Sequence, residues 1–201
     1  MTVTPSDLAE FVADAQAAIH EEEQRLNAAD AKLGDGDTGS MLCRVIDAMV
    51  GTDTVGAASL ADAAMGLAQA AMKETGSSLG TLVATAAMAL AKAAKSADGE
   101  IGASDMGRVV TEMRNAVAAR GKAASGDKTI VDSLDAIATA LNSGTPDHTT
   151  AAKAAADTLE AFRNTPCRIG RARMFPERSI GSDDPGMLAI ALVLKHATMK
   201  Q

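Results

Sequence analysis

The residues best suited to chemistry in this 201-residue chain form an acidic turn, Asp30-Ala-Lys-Leu-Gly-Asp35-Gly-Asp37. Three carboxylates within so short a stretch repel one another unless a cation neutralises them. The glycines free the backbone to curl, so the side chains can converge on one point. Oxygen ligands without His or Cys favour Mg²⁺ or Ca²⁺, and the turn is no EF-hand because the twelfth position from Asp35 is Ile46. A merely solvated turn is the alternative that this segment leaves open.

A glycine- and serine-rich turn follows at residues 75–81, with the sequence Thr-Gly-Ser-Ser-Leu-Gly-Thr. It directly precedes a strongly helical stretch. Backbone N–H groups and the positive end of the helix dipole would face whatever fills this turn, which is therefore suited to an anion. An ordinary turn between two helices, with a serine cap, is the alternative interpretation.

A third segment, Gly121-Lys-Ala-Ala-Ser-Gly-Asp127-Lys-Thr129, is similar to a phosphate-binding P-loop. It has one residue too many before the Lys-Thr pair and follows a helix instead of a strand, so we exclude a P-loop. We predict instead that Gly121 ends one helix and that the Asp127 carboxylate caps the N–H groups at the start of the next. Such a loop can still line a pocket.

Arginine is concentrated near the C-terminus of a chain that is otherwise acidic, with a formal net charge of -7. Arginine binds phosphate or carboxylate through two parallel hydrogen bonds and keeps its charge, so this segment is suited to clamp an anion or to dock a partner. Pairing of one or two of these side chains with nearby acids is the alternative. The five arginines are Arg163, Arg168, Arg171, Arg173 and Arg178.

Composition excludes several classes of protein. Aromatic residues make up 1% of the chain and alanine fills 44 positions, which disfavours most all-β folds and base-stacking surfaces. The negative charge also opposes attraction to nucleic acid and to anionic membranes. Because we find no bilayer-spanning apolar run and no signal peptide, we expect a cytoplasmic protein with no nucleic acid or membrane as a direct partner. We expect buried free thiols at Cys43 and Cys167, and structural or surface positions for His20, His148 and His196.

Helical periodicity runs through nearly the whole chain. Apolar residues recur at spacings of three and four, and short clusters of Gly, Ser, Asp or Pro interrupt them. We therefore predict an all-α protein, a single domain over residues 1–201, folded as an antiparallel bundle. We predict N-caps at Ser6, Ser59 and Ser104. The eight predicted helices cover residues 6–29, 39–50, 59–73, 80–97, 104–120, 128–142, 147–164 and 185–199.

Function is expected in the polar segments that remain, 30–38, 74–79, 121–127 and 165–184. In their order and spacing these segments resemble the dihydroxyacetone kinase L subunit, the nucleotide-binding partner that also occurs as the C-terminal domain of single-chain dihydroxyacetone kinases. Gly-Arg-Ala at 170–172, Glu-Arg-Ser-Ile-Gly at 177–181 and Asp-Pro-Gly at 184–186 extend the resemblance to almost the whole chain. It implies an eight-helix, barrel-like bundle with a nucleotide pocket at one end.

The resemblance also implies the residues of the site. Asp30, Asp35 and Asp37 would hold two Mg²⁺ ions that bridge the phosphates of ADP or ATP. Phosphoryl transfer would depend on Asp35, Asp37 and Arg178, and Arg178 would close the pocket together with Asp184. The nucleotide would be bound by Gly76, Ser77, Ser78, Gly80 and Thr81 at the glycine- and serine-rich turn, and by Gly121 and Asp127 near the nucleoside.

By the same resemblance, the activity would be that of a kinase for dihydroxyacetone or a related small ketose, active only with a partner K subunit that holds the sugar. We favour the version in which ADP is retained and rephosphorylated by a phosphotransferase-system protein. The alternatives are an ATP-dependent small-ketose kinase subunit, a non-catalytic regulatory module that responds to nucleotide, and a purely structural bundle. The family usually has His where this chain has Thr38, and Ser where it has Leu79.

Overall fold

The computed structural model describes residues 2–97 and 100–199, apart from the side chains of Arg171 and Ala172. Nine α-helices lie in these residues, which form no strand beyond one isolated bridge. Short 3-10 turns cover Ala103–Asp105, Arg171–Met174 and Pro176–Ser179. The helices are α1 (Pro5–Glu21), α2 (Glu23–Asp30), α3 (Thr38–Val50), α4 (Leu60–Glu74), α5 (Ser78–Ser96), α6 (Met106–Gly121), α7 (Ile130–Ser143), α8 (His148–Phe162) and α9 (Pro185–Thr198).

The eight predicted helices correspond to these nine because the first, predicted over 6–29, is divided into α1 and α2. The backbone of Glu22 leaves the helical region at that point, with φ -105° and ψ 11°. Hydrogen bonds continue across the break, since Glu22 N–H donates to Ala18 O (3.1 Å) and Leu26 N–H donates to Glu22 O (3.0 Å). The two helices therefore form one bent rod. No Gly or Pro marks the bend, so the sequence did not predict it.

The residues whose side chains cap the helix N-termini agree only in part with the predicted caps. Ser59 caps α4, as predicted. The prediction of Ser6 as the cap of α1 is wrong, because Thr4 and Asp7 form a reciprocal capping box there. The prediction of Ser104 is also wrong, since this residue lies within the 3-10 turn that precedes α6.

The helices pack in chain order around a closed ring. Helix α1 contacts α3, each helix from α3 onward contacts its successor, and α9 returns to contact α1. Helix α2 continues the rod of α1 and packs against α3 and α9. This arrangement confirms the prediction of an antiparallel, barrel-like, all-α bundle.

Aliphatic side chains fill the interior of the ring. Leu26, Leu67 and Met187 are among the fully buried residues of the main core. Cys43 and Cys167 are buried free thiols, as predicted, and burial raises the pKa of Cys43 to about 11, which makes it unreactive. No helix in the described ranges is both long enough and apolar enough to cross a bilayer.

The three histidines lie on helices, in positions that agree with the sequence interpretation. His20 is exposed, and its Nε2 lies 2.7 Å from Asp47 Oδ1. His148 is exposed and stacks on Phe11, with ring centroids 6.5 Å apart. His196 is half-buried at the other end of the chain.

Four connections share one end of the ring, which we call the loop end. Consecutive helices that pack side by side in an antiparallel bundle run in opposite directions, so every second connection lies at the same end. The connections after α2, α4, α6 and α8 therefore meet there, and they coincide with the four polar segments of the sequence. These connections are residues 31–37, 75–77, 122–129 and 163–184, the last of which we call the arginine loop.

The packing of α2 against α3 can be tested at two helical glycines, which differ in the free space around them. A Cβ on Gly39 in α3 would lie 2.2 Å from the carbonyl oxygen of Glu23 in α2, whereas a Cβ on Gly66 in α4 would meet nothing within 4 Å. We expect Gly39→Ala to lower the free energy of unfolding by about 1–3 kcal/mol, because α2 and α3 must separate. We expect Gly66→Ala to raise it by about 0.5–1 kcal/mol through higher helix propensity. Urea denaturation followed by circular dichroism measures both, and equal effects would contradict the close contact of α2 with α3.

Candidate functional site

The acidic turn brings its three carboxylates together at the loop end. Asp30 is the last residue of α2, Asp35 lies in the connection that follows, and Asp37 occupies the N-cap position of α3. One carboxylate oxygen from each residue lies within 4.8 Å of the others. Asp30 is half-buried, whereas Asp35 and Asp37 are exposed. The predicted metal ligands therefore form one cluster that is open to solvent.

Hydrogen bonds and glycines fold the turn around Asp30. Its Oδ2 accepts from the N–H groups of Gly36 (2.8 Å) and Asp37 (3.2 Å). A Cβ at Gly34 would lie 2.2 Å from Asp30 Oδ1, so a larger residue would displace this carboxylate. Gly36 has φ 77°, a conformation that L side chains rarely adopt. The turn therefore needs these two glycines, in agreement with the sequence interpretation.

Asn27 is a residue next to the acidic turn whose capping role the sequence interpretation missed. Its Oδ1 accepts from the N–H groups of Gly39 (2.7 Å) and Ser40 (3.2 Å), so α2 supplies the cap for the first turn of α3. Asp37 makes no side-chain capping bond, although it occupies the N-cap position. Its carboxylate can therefore serve the acidic cluster. Asn27 precedes Asp30 by three residues, and this spacing on one helix face was the available signal.

The acidic cluster suits a hard divalent cation. Carboxylate oxygens are the preferred ligands of Mg²⁺ and Ca²⁺, and carboxylates this close repel one another without a cation among them. Within the described residues, Asp30, Asp35 and Asp37 are the one group of three or more His, Cys, Asp or Glu side chains whose donor atoms converge in this way. The donor set contains no His or Cys, which zinc would favour.

The glycine- and serine-rich turn forms the N-terminus of α5. Ser77 caps the helix by accepting from Gly80 N–H (3.0 Å), and Thr81 Oγ1 donates to the carbonyl of Ser77 (2.9 Å). Gly80 is buried, and a Cβ there would lie 1.9 Å from a neighbouring threonine hydroxyl. Ser77, Gly80 and Thr81 therefore shape the turn. Gly76 and Ser78 are exposed to any ligand at the loop end.

A cavity of about 600 Å³ lies between the start of α5, the end of α6 with the connection that follows it, and the arginine loop. This volume is typical of small-molecule sites. Of the residues predicted to bind a nucleotide, Ser78 and Gly121 line it. The other lining residues are Lys122, Ile169, Gly170, Arg173 and Met174, most of which belong to the arginine loop.

The connection between α6 and α7 differs in part from its prediction. Helix α6 ends at Gly121, as predicted. The prediction that Asp127 caps α7 is wrong, because Thr129 caps this helix in a capping box with Asp132. Lys128 lies between the two positions with φ 61° and turns the chain, which removes Asp127 from the cap. The Asp127 carboxylate instead accepts from a backbone N–H of its own connection (2.8 Å).

Arg163 begins the arginine loop and is paired with acids. Its Nε lies 2.9 Å from Asp183 Oδ1, and its Nη1 pairs with Glu160. The hydrogen bond and the charge of Asp183 raise the pKa of this guanidinium. The alternative interpretation, pairing with nearby acids, therefore holds for Arg163.

Three other arginines of the loop, Arg168, Arg173 and Arg178, are exposed and bring positive charge to the loop end. The guanidinium carbon of Arg178 lies 5.4 Å from the centre of the Phe175 ring. The backbone N–H of Arg168 donates to a carbonyl of the connection between α6 and α7 (3.2 Å), which joins these two segments. The side chain of Arg171 lies outside the described part of the chain.

Comparison with known proteins shows which family shares this arrangement. Residues 32–199 match the family model described as the DAK2 domain. The chain belongs to the DAK2 domain family. The matched range begins just after Asp30 and includes Asp35, Asp37 and the three later connections of the loop end.

Relatives of this DAK2 domain include a kinase subunit and a longer enzyme. The chain is 29% identical over 185 residues to "PEP-dependent dihydroxyacetone kinase 1, ADP-binding subunit DhaL" of Listeria innocua, covering 90% of this chain and 89% of the subunit. It is 34% identical over 185 residues to the triokinase/FMN cyclase of Rattus norvegicus, covering 86% of this chain and 31% of that enzyme.

A solved structure has a similar fold. The dihydroxyacetone kinase from C. freundii, in complex with AMP-PNP and Mg²⁺, matches with a TM-score of 0.75 and 24% identity, covering 100% of this chain and 35% of that chain. At this identity the likeness shows the fold alone. The DAK2 domain thus spans about a third of the length of the rat and C. freundii enzymes.

Asp184 is the N-cap residue of α9, and the pKa of its carboxyl group is raised. Its Oδ1 accepts from Met187 N–H (2.9 Å), so its side chain caps the helix. Burial raises the pKa of the carboxyl to about 6, although the Met187 N–H and the Lys128 charge favour its ionised form. Its charge therefore changes not far below neutral pH.

The raised pKa of Asp184 makes stability depend on pH. Its unfolded pKa is near 3.8, so the folded protein holds the proton more tightly, and the resulting stabilisation is lost as the pH rises through about 6. Asp184→Asn keeps a capping side chain and removes the titration. The measured quantity is the difference between the two unfolding free energies, wild type minus variant. We expect this difference to fall by about 1–3 kcal/mol between about pH 4 and pH 7. Urea denaturation at both pH values measures this difference, and a constant difference would contradict the raised pKa.

Proposed function

We propose that this DAK2 domain is the nucleotide-binding subunit of a kinase that phosphorylates dihydroxyacetone or a related small ketose. The observation that carries the proposal is the convergence of Asp30, Asp35 and Asp37 at the same end of the ring as a cavity lined by the start of α5, the end of α6 and the arginine loop. A polyphosphate with bound cations needs both carboxylates for the metal and a cavity for the rest of the ligand. The Listeria innocua relative supports the proposal because its name describes an ADP-binding subunit.

Asp30, Asp35 and Asp37 would hold two Mg²⁺ ions. When bound, Mg²⁺ neutralises charge on the phosphates and so favours phosphoryl transfer. The protein orients these ligands through its own hydrogen bonds. Asp30 is held by the N–H groups of Gly36 and Asp37, and Asn27 takes over the capping of α3.

The nucleotide would extend from these carboxylates into the cavity. Gly76 and Ser78 present the N-terminus of α5, where backbone N–H groups favour phosphate. Ser77, Gly80 and Thr81 would act by holding that turn in shape. Gly121 would lie beside the nucleoside, and Asp127 would support the same connection through its bond to the backbone.

The arginine loop would complete the site. Phosphoryl transfer depends on positioning and on stabilisation of charge, more than on covalent chemistry by the protein. The exposed guanidinium of Arg178 would stabilise the charge on the transferred group. Asp184, at the end of the loop, would fix the start of α9 as the second part of this lid.

A partner K subunit would hold the sugar that accepts the phosphoryl group. We propose that ADP stays bound and is rephosphorylated by a phosphotransferase-system protein, which the name and the 89% coverage of the PEP-dependent Listeria innocua subunit support. An ATP-dependent kinase subunit is the second candidate, and the 34% identity to a triokinase favours it. In either case residues 1–201 would act as one domain in the cytoplasm.

Nucleotide that copurifies with the protein distinguishes these versions. We expect denaturation of the purified protein to release stoichiometric ADP, because a cofactor that is rephosphorylated in place stays bound. Ion-exchange chromatography of the supernatant measures it. Little released nucleotide together with binding of added Mg-ATP would favour the ATP-dependent version, whereas no binding of either nucleotide at millimolar concentration would contradict the proposed function.

Neutral substitutions test the acidic cluster. We expect the double variant Asp35→Asn, Asp37→Asn to weaken Mg²⁺-dependent ADP binding by more than about 100-fold, because even changes around metal ligands cost 10–100-fold. Helical content should stay the same, since both side chains are exposed.

A matched control makes the same change of charge elsewhere. Asp53 and Asp157 are exposed and lie outside the acidic cluster. The double variant Asp53→Asn, Asp157→Asn should keep the affinity within about twofold, because distant surface charges are screened. Isothermal titration calorimetry with and without a chelator measures both variants, and normal binding by the first would refute the assigned metal ligands.

A further inference from the structure

Lys128 has a buried ammonium group to which the proposed mechanism gives no role. The residue is 2% exposed. Its Nζ donates to the backbone carbonyls of Thr165 (2.8 Å), Ser179 (2.9 Å) and Arg163 (3.0 Å). An ammonium group has three N–H donors, so the hydrogen bonding of this side chain is complete.

The three carbonyls lie where the two ends of the arginine loop come together. Two of them lie at the start of the loop, and the third, that of Ser179, lies near its end. The two ends also meet directly, since Gly181 N–H donates to Arg163 O (2.9 Å) and Cys167 N–H donates to Ser179 Oγ (2.7 Å). Lys128 therefore reaches from the connection between α6 and α7 into the point where the loop closes.

Lysine is an unfavourable residue for this position on local grounds. Its φ of 61° disfavours any residue with a Cβ, and burial lowers the pKa of its ammonium. The charges of Asp184 and Asp183 favour the ammonium form, whereas the charge of Arg163 opposes it. A buried charge is tolerated when its hydrogen bonds are satisfied, and here the arginine loop supplies all the acceptors.

We propose that Lys128 is a positioning residue whose buried ammonium group fixes the arginine loop over the cavity. Arg178 directly precedes Ser179, whose carbonyl the ammonium binds, and four residues of the loop line the cavity. Lys128 is not among the lining residues, so it acts through the loop. The inference rests on the proposed function, because the ligand for which Lys128 would hold the loop in place is the proposed nucleotide.

Lys128→Met tests the anchor, because it keeps a long side chain and removes the N–H donors. Trypsin cleaves after exposed arginines in mobile segments, so Arg168, Arg173 and Arg178 report release of the loop. We expect cleavage there to accelerate by at least about tenfold and Mg-ADP affinity to fall by a similar factor, because affinity follows the fraction of loop in the competent state. Mass spectrometry locates the cuts, and calorimetry gives the affinity.

Lys153→Met is the matched control for loss of a lysine charge. Lys153 is exposed on α8, where it pairs with Asp157. We expect this variant to stay within about twofold of wild type in both measurements, since exposed ion pairs contribute little. Circular dichroism checks that both variants keep their helices.

Lys128→Gly adds a chemical rescue, which tests whether the ammonium group itself holds the loop. Glycine suits the left-handed backbone and leaves a gap in front of the three carbonyls. We expect added methylammonium to restore both resistance to trypsin and Mg-ADP affinity in this variant. It should not do so in Lys128→Met, whose side chain fills the gap. Tetramethylammonium, which has no N–H donor, should restore neither property.

The outcomes separate this inference from the proposed function. If wild type fails to bind Mg-ADP, the proposed function fails, and the inference that the loop is held for a nucleotide fails with it. If wild type binds but Lys128→Met is cleaved and binds like wild type, the inference alone is wrong. It is equally wrong if cleavage accelerates while affinity is unchanged, or if methylammonium does not rescue Lys128→Gly.

Discussion

The alternation of helix direction around a closed ring decides which parts of this chain can act together. Contact between α9 and α1 closes the ring, and each remaining helix packs against its neighbours in the chain. Every second connection therefore lies at the loop end, although the acidic turn and the arginine loop are far apart in sequence. The cavity shows the result, since it is lined by the starts or ends of α5 and α6 together with the arginine loop. Without closure of the ring, the first and last of these connections would not share a surface.

The same geometry gathers four helix N-termini at the loop end, those of α3, α5, α7 and α9. Each brings the positive end of a helix dipole, which favours anions nearby. Their caps are Asn27, Ser77, Thr129 and Asp184. Three of these caps belong to their own helix, whereas Asn27 reaches from α2 to α3 and so leaves Asp37 to the acidic cluster. An acidic protein thereby presents a cluster of carboxylates and the positive ends of four helices on one surface.

Apolar spacing and helix-breaking residues predicted most of the fold, because both act within a few residues of chain. The same local signals predicted that the glycines would let the acidic turn curl. They did not predict the bend at Glu22, which has no Gly or Pro and coincides with the close approach of Gly39 to Glu23. They also contained the cap of α7, since Thr129 and Asp132 have the spacing of a capping box, but the prediction placed the cap at Asp127. They did not predict the buried position of Lys128, whose partners are carbonyls of the distant arginine loop. Residues whose partners lie far away in sequence carry no local pattern that identifies them.

Two of the positions at which the resemblance implies a different residue, Thr38 and Leu79, are packed at the loop end. Thr38 is buried in the first turn of α3, directly after Asp37 of the acidic cluster. Leu79 packs against the core, and its Cδ1 would lie 3.3 Å from a Cβ at Gly186, whose other neighbours include Ile130. Leu79 thus fills the space where the starts of α5, α7 and α9 meet. A leucine at this junction therefore contributes to the packing of three helix N-termini at the loop end and leaves the acidic cluster intact.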